Sequence, residues 1–295
     1  MAVISFSNGK QYTYFISSGM LGFDGEGATV VHKIIRKILL KAKIYDPTLV
    51  AETTKTITFH PIDGPKKIKP IRGGWWNDYG LDNPGLNNFI MYYGKKIKWK
   101  ENLIISIAGK DRDEMRVIVR AITARFPNLL ALEYNASCPN CSTTRVGANE
   151  VIKRCELIKE TSPRTDVIVK VGAKSNNYAI ITKGTKGLVK AFRINSVPVE
   201  GGGAISGKLA QEVNWRILNE LLEASSTPVI APSIWDYEDM KKVLKMGAAG
   251  IDFGSVSMIH HLRPWGPAIP YLWAKKHKGE QDRKDWEMKA CARSK

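Results

Sequence analysis

Apolar residues fall along this chain in short blocks, and between the blocks they recur at helical spacing. Eight blocks are apolar almost throughout: Tyr14–Ser17, Thr48–Ala51, Leu103–Ile107, Leu130–Tyr134, Val167–Val171, Leu188–Ile194, Pro228–Ala231 and Gly250–Phe253. Short blocks without polar alternation predict strands covered on both faces. The intervening stretches Thr29–Lys41, Asp113–Phe126, Glu150–Thr161, Ala179–Lys186, Gln211–Ala224 and Tyr237–Met246 predict helices. In the last, Met240, Val243 and Leu244 share a face and Gly247 supplies a stop. Strands alternating with helices predict an α/β fold, and eight such strands predict a (β/α)8 TIM barrel. An open doubly wound sheet is the alternative. Ser17-Ser18-Gly19-Met20-Leu21-Gly22, after the first strand, lacks the glycine pattern that such a sheet advertises there.

Two additions to the barrel are expected. Asn8-Gly9 between β-prone residues predicts a small N-terminal hairpin that caps the barrel bottom. Residues 59–84 are polar and rich in Gly and Pro, which predicts a long inserted loop, and a loop of that length is usually functional. The chain reads as one domain over residues 1–295, with its core at residues 14–257 and a basic peripheral tail at 275–295.

Composition narrows the class. With 43% hydrophobic residues in 295, the disordered classes are excluded. Lys plus Arg is 45 and Asp plus Glu 28, a formal charge of 45 − 28 = +17, which attracts anions. Nucleic acid, acidic lipid and phosphorylated small molecules all fit that sign. The runs Lys66-Lys67-Ile68-Lys69, Lys95-Lys96-Ile97-Lys98-Trp99-Lys100 and Lys275-Lys276-His277-Lys278 also fit a solvated surface. No apolar run reaches about 18 residues, and the N-terminus has no basic segment before its short apolar stretch. A cytoplasmic protein without a membrane partner is therefore expected. Four cysteines in this length do not make a disulfide scaffold, and Cys138-x-x-Cys141 lacks the second pair of a zinc site. No metal is expected.

In such a barrel the chemistry sits at the C-terminal ends of the strands. Polar or reactive groups follow all eight: Ser17-Ser18-Gly19, Thr53-Thr54-Lys55-Thr56, Ala108-Gly109, Asn135 to Cys141, Lys170, Asn195-Ser196, Pro232-Ser233 and Gly254-Ser255. Cys138 stands among Asn135, Ser137, Pro139 and Asn140, which is no core environment; a tuned thiol there can act as general acid or base. Asn77, Asn135, Asn140 and Asn195 are turn or cap candidates, but amides offering both donor and acceptor also suit a planar imide or pyrimidine. Lys55 and Lys170 at strand ends ask for an anionic ligand, since a lysine buried unpaired is costly. Near a flavin, one of them would stabilise the charge of the reduced ring. Gly201-Gly202-Gly203, Ser206-Gly207 and Gly254-Ser255 could bring main-chain N–H groups close to a phosphate.

Asn135-Ala136-Ser137-Cys138-Pro139-Asn140 closely resembles the N-x-S-C-P-N signature of the dihydroorotate dehydrogenases. Asn77-Asp78-Tyr79-Gly80-Leu81-Asp82-Asn83-Pro84-Gly85 resembles their N-x-x-G-L-x-N-P-G loop. Ser106-Ile107-Ala108-Gly109, Val167 to Lys170, Ile194-Asn195-Ser196 and Ser206-Gly207 follow in the family's order, so the similarity runs from Ser17 to Ser255. The resemblance implies a barrel holding FMN and oxidation of dihydroorotate to orotate in pyrimidine synthesis. It implies Cys138 as the base at substrate C5, assisted by Lys55, with hydride passing from C6 to flavin N5. Lys55, Asn77, Tyr79, Gly80, Leu81, Asn135, Asn140, Asn195 and Ser196 would hold the substrate. Ser18, Gly19, Lys55, Thr56, Ser106, Asn135, Lys170, Ile194 and Gly207 would hold FMN, with Ser233, Gly254 and Ser255 at its phosphate. A cysteine base resembles the soluble class, and the family suggests a homodimer, with a separate electron-transfer subunit in some members. The chain departs from the pattern at Ala231-Pro232-Ser233-Ile234, where the family has a Gly-Gly pair, at Ser106, often Asn, and at the bulky Tyr79. Alternatives are a tRNA dihydrouridine synthase-like enzyme, which would put the positive charge to use on nucleic acid, another dihydropyrimidine oxidoreductase, and a non-catalytic FMN-binding barrel.

Overall fold

A computed structural model describes residues 3–27, 29–137, 146–173, 177–259 and 264–293, without the side chains of 290–293. In chain order the strands are β1 (Ile4–Ser5), β2 (Gln11–Tyr12), β3 (Tyr14–Ile16), β4 (Val50–Thr53), β5 (Lys67–Ile71), β6 (Gly74–Asp78), β7 (Leu103–Ile107), β8 (Ala131–Asn135), β9 (Val167–Val171), β10 (Ala191–Ile194), β11 (Val197–Pro198), β12 (Ala204–Gly207), β13 (Val229–Ala231) and β14 (Gly250–Phe253). The helices are α1 (Val30–Lys41), α2 (Gly85–Ile97), α3 (Arg112–Arg125), α4 (Ala148–Thr161), α5 (Tyr178–Gly184), α6 (Gln211–Ala224), α7 (Tyr237–Lys245) and α8 (Ile269–Arg293).

The strands β3, β4, β7, β8, β9, β10, β13 and β14 pair in that order, all parallel, and β14 closes onto β3. This is the expected (β/α)8 barrel. Its strands obey the period-two rule of a pleated sheet. Leu132 and Tyr134 of β8, Val167, Val169 and Val171 of β9, and Phe192 and Ile194 of β10 pack outward against the helices in one large core. The alternate residues Phe15, Ala51, Ile104, Ala131, Ile168, Ala191 and Ile230 form a second, inner cluster low in the barrel. Local sequence starts the helices: Thr29 accepts from His32 N, Asp111 from Glu114 N, and Asp236 with Asp239 forms a reciprocal capping box ahead of α7.

The N-terminal hairpin is the plug of the inner cluster. β1 pairs with β2, Gly9 takes a positive φ in the turn, and Ile4, Phe6 and Tyr12 bury themselves on the inner apolar residues. Asp166, just before β9, latches it by accepting from Ser7 N at 2.5 Å and Ser7 Oγ at 2.8 Å.

The long inserted segment, expected as a loop, contains a hairpin. β5 and β6 pair antiparallel, β6 pairs with β12, and β12 with β11, making a four-stranded sheet. Its polar composition has a physical reason: β5 is an edge strand, exposed almost throughout, with lysines and Pro70 on the edge. Gly201-Gly202-Gly203 makes the β11–β12 turn, where all three glycines have positive φ and Gly203 lies against the Trp76 ring. Residues 275–293 belong to α8. Tyr271, Ala274 and His277 are buried on it, and His277 Nδ1 lies 2.8 Å from the Tyr14 hydroxyl. No helix among the described residues is long and apolar enough to cross a membrane.

Candidate active site

The inward residues of the upper barrel are polar. Above the apolar layer come Thr53, Ser106, Glu133, Lys170, Arg193 and Asp252, then Asn135 and Asn195 at the C-terminal mouth. Arg193 and Glu133 are fully buried. Arg193 Nη1 donates to Glu133 Oε2 at 2.5 Å and to Thr53 Oγ1 at 2.9 Å, while its Nε lies 3.6 Å from Asp252 Oδ2. Glu133 Oε1 accepts from Ser106 Oγ at 2.7 Å and lies 3.5 Å from Lys170 Nζ. Burial raises the Glu133 carboxyl, but Lys170 first and then Arg193 outweigh it, so Glu133 lies below the ordinary glutamate value. Asp252 has the poorer geometry, and burial holds its carboxyl above the ordinary aspartate value.

This charged layer props the mouth. Lys170 Nζ donates to Ser18 Oγ at 2.5 Å. Ser106 Oγ is 2.9 Å from Thr56 Oγ1, which accepts from Asn135 Nδ2 at 3.1 Å. Asn195 Nδ2 then reaches Asn135 Oδ1 at 3.3 Å and Ser137 O at 3.1 Å, and Ser196 N donates to Asn195 Oδ1 at 2.9 Å. Ser18, Lys170, Ser106, Thr56, Asn135, Asn195 and Ser196 thus form one hydrogen-bonded row, joined through Glu133.

A second group comes from the inserted sheet and the segment after it. Asn77 Nδ2 donates to Ala204 O at 3.3 Å. Tyr79 places its ring 4.3 Å from Lys55 Nζ, and Gly80 and Leu81 both have positive φ, where Gly80 has no room for a Cβ beside Pro65. Lys55 N is tied to Gly22 O at 2.8 Å and its ammonium lies 3.1 Å from Asp82 Oδ2. Burial lowers the Lys55 ammonium, partly countered by Asp82. On the far side of the mouth Ser255 Oγ donates to Ser206 Oγ at 2.7 Å, and Gly207 packs against the main chain of Gly73 and Gly74. Gly254 faces Ser17.

Several candidates sit elsewhere in the arrangement. The Ile194 side chain faces the helices, which leaves only its main chain to the barrel side. Gly19, at positive φ, has no neighbouring atoms where a Cβ would stand. Ser233 adopts φ 63° and is engaged from α6: Asn214 Nδ2 donates to its Oγ at 2.9 Å and Gln211 Nε2 to its carbonyl at 2.9 Å. Cys138, Asn140 and Cys141 lie outside the described residues.

The sequence reading overlooked Glu133, Arg193, Asp252, Lys66 and Asp82. For the first three a signal existed. Each stands between two outward apolar residues, in Leu-Glu-Tyr, Phe-Arg-Ile and Ile-Asp-Phe, so the strand period points the charge into the barrel.

Comparison with known proteins bears on the fold and on the family. In solved structures the fold is similar to a sialic acid aldolase from Ruminococcus gnavus, with TM-score 0.51 and 12% identity over 95% of this chain and 77% of that one. It is also similar to an Aquifex aeolicus protein, with TM-score 0.51 and 11% identity over 89% and 91%. These likenesses concern the fold alone. Two curated relatives are described as dihydroorotate dehydrogenase B (NAD(+)), catalytic subunit. The one from Geobacillus kaustophilus is 25% identical over 82% of this chain and 80% of its own length. The one from Bacillus cytotoxicus is 26% identical over 83% and 82%. A dihydroorotate dehydrogenase family profile matches residues 39–259, from α1 to just beyond β14. The span covers seven of the eight barrel strands and the whole inserted sheet, so the chain belongs to the dihydroorotate dehydrogenase family of oxidoreductases.

Proposed function

We propose that the chain oxidises dihydroorotate to orotate on a bound flavin mononucleotide, with Cys138 as the base. The observation that carries this reading is the hydrogen-bonded row from Ser18 and Lys170 to Asn195 at the mouth of a family barrel. Its chemistry fits the group. Ammonium, hydroxyl and amide donors converge where a planar ring with several acceptor atoms would lie, and hydroxyls of Ser206 and Ser255 stand across from them. Ser18, Gly19, Thr56, Ser106, Asn135, Lys170 and the Ile194 main chain would hold the ring end. Gly207, Gly254 and Ser255 would hold the phosphate. Ser233 would contribute there through its hydroxyl proton, because its Oγ accepts from Asn214 Nδ2 and keeps its own O–H to donate. Pro232 offers no N–H, and its carbonyl accepts from Trp215 Nε1 at 3.2 Å.

Bound FMN supplies the acceptor for the hydride leaving C6 of the substrate. The side chains do the rest. Cys138, which follows Ser137 directly in sequence, removes the C5 proton, and the electron pair of that bond becomes the C5=C6 double bond. Asn135 and Asn195 orient the pyrimidine; their own orientation is set by Thr56, Ser137 and Ser196. Lys55, Asn77, Tyr79, Gly80, Leu81, Asn140 and Ser196 complete the substrate side, with Lys55 taking the carboxylate. Lys170, held by Ser18 and Glu133, supplies positive charge beside the ring. The description of the relatives as catalytic subunits supports transfer of electrons to a separate subunit, and the resemblance supports a homodimer.

The purified protein should be yellow, and anaerobic dihydroorotate should bleach it with formation of orotate. Cys138→Ser should keep the flavin and slow the bleaching by orders of magnitude. Bleaching by another dihydropyrimidine but not by dihydroorotate would replace the substrate. Unchanged bleaching in Cys138→Ser would remove the base.

A further inference from the structure

Lys55 does not present a free ammonium to the mouth. Asp82 Oδ2 lies 3.1 Å from its Nζ, and the other oxygen of the same carboxylate, Oδ1, lies 3.0 Å from Lys66 Nζ. Lys66 is also 2.8 Å from Asp63 Oδ1. The four side chains form a row of alternating sign that runs from a largely buried end, with Lys55 and Asp82 about four-fifths covered, to an exposed one. Phe23 and Tyr79 flank the Lys55 ammonium at 5.3 and 4.3 Å from their ring centres.

We propose that Asp82 is a built-in competitor for the substrate carboxylate, and that Lys66 is the cation that keeps hold of Asp82 when the substrate displaces it from Lys55. The inference rests on the reading of Lys55 as the substrate's carboxylate contact. An incoming carboxylate must break an existing ion pair before it gains a new one, so the pair lowers the affinity for anionic ligands. Lys66 reduces that cost, because a carboxylate released from Lys55 retains its second partner rather than standing unpaired. The exchange is confined to the Asp82 side chain. Asp82 N donates to Tyr79 O at 3.1 Å, and Asn83 is paired in both directions with Ile62 at 2.9 and 3.0 Å. Asn83 Oδ1 further accepts from Thr58 N and Gly85 N. A side-chain rotation needs no opening of the loop. A neutral pyrimidine leaves the Lys55–Asp82 pair intact, so Asp82 acts on the preference between carboxylated and uncarboxylated rings.

The test uses the flavin-loaded protein and reads dissociation constants of orotate and uracil from the perturbation of the flavin spectrum. Asp82→Asn should tighten orotate about three- to tenfold, the range of a partly exposed ion pair. Lys66→Met should weaken orotate, by about threefold, because Asp82 then has Lys55 as its stronger partner. Uracil binding should change less than twofold in either variant. Opposite directions in the two variants are the signature, since a purely structural role would weaken orotate in both. Weakening in both, or no change in either, overturns the proposal. If orotate perturbs no spectrum even in the unaltered protein, the reading of the site itself has failed, and this inference falls with it.

Discussion

Glu133→Gln tests whether the charged layer inside the barrel carries the stability of the upper half. The substitution keeps the volume and removes one charge. Glu133, Asp252, Arg193 and Lys170 balance as two negative and two positive groups, and the variant leaves one positive charge in excess. Arg193 would lose its 2.5 Å charged partner and keep one carboxylate, Asp252, 3.6 Å from its Nε, beside the neutral Thr53 Oγ1 at 2.9 Å, with Nε and Nη2 already lacking hydrogen bonds among the described residues. Removing one member of a buried ion pair costs about 3–5 kcal/mol. Unfolding entropy scales to roughly 0.6 kcal/mol/K for a chain of 295 residues. The melting temperature should therefore fall by about 5–8 °C, measured by calorimetry or circular dichroism near neutral pH. The sign with pH is fixed. Glu133 lies below its unfolded value in the fold, so its contribution is present above the unfolded carboxyl range and is lost as pH falls through the folded value. The gap between unaltered and variant protein should narrow accordingly. Arg193→Met combined with Glu133→Gln should cost less than the sum of the two, because both remove the same contact. A melting temperature within about 1 °C of the unaltered protein, or strict additivity, would refute the account.

Three further outcomes follow from geometry already described. Asp166→Ala removes both hydrogen bonds that latch the N-terminal hairpin and should cost about 2–3 kcal/mol, read as a lower denaturation midpoint with an unchanged urea slope. Gly74→Ala places a Cβ against the Ser206 carbonyl and should break the β6–β12 pairing, weakening orotate binding at least tenfold while the barrel's melting temperature moves by only a few degrees. Burial lowers the imidazole values of both His32 and His277, so the unfolded chain takes up protons first as pH drops below the ordinary histidine range. Stability should decline over that window down to the lowered folded values, and His277→Gln should flatten the decline.

Much of the barrel could be read directly from the chain because its outward strand residues are apolar and regular. Strands β7, β9 and β14 and helix α6 lie where the pattern puts them. What escaped was built from residues that do not look like core. Helix α2 carries two asparagines and an internal glycine among its apolar positions, so its periodicity is faint although Leu86, Phe89 and Ile97 are buried. The β5–β6 hairpin has an exposed lysine-rich edge, which reads as loop. Helix α8 buries Tyr271, Ala274 and His277 beneath a surface of charge, and its composition reads as a tail. At the site, the mouth residues Lys55, Thr56, Asn135, Lys170 and Asn195 were visible as polar groups at strand ends. The layer that orients them was not, because a single charge inside an apolar strand does not reveal the opposing strand that neutralises it.

Sealing the sheet by β14 against β3 joins the third strand of the described residues to the fourteenth. During synthesis the carboxylate of Asp252 therefore emerges long after Arg193, the cation it faces. Until β14 leaves the ribosome, the nascent chain holds a guanidinium with one counter-charge and two open sheet edges, on β3 and β13. Completion of the electrostatic interior and completion of the cylinder are thus a single event, which ties the assembly of a competent mouth to the arrival of β14.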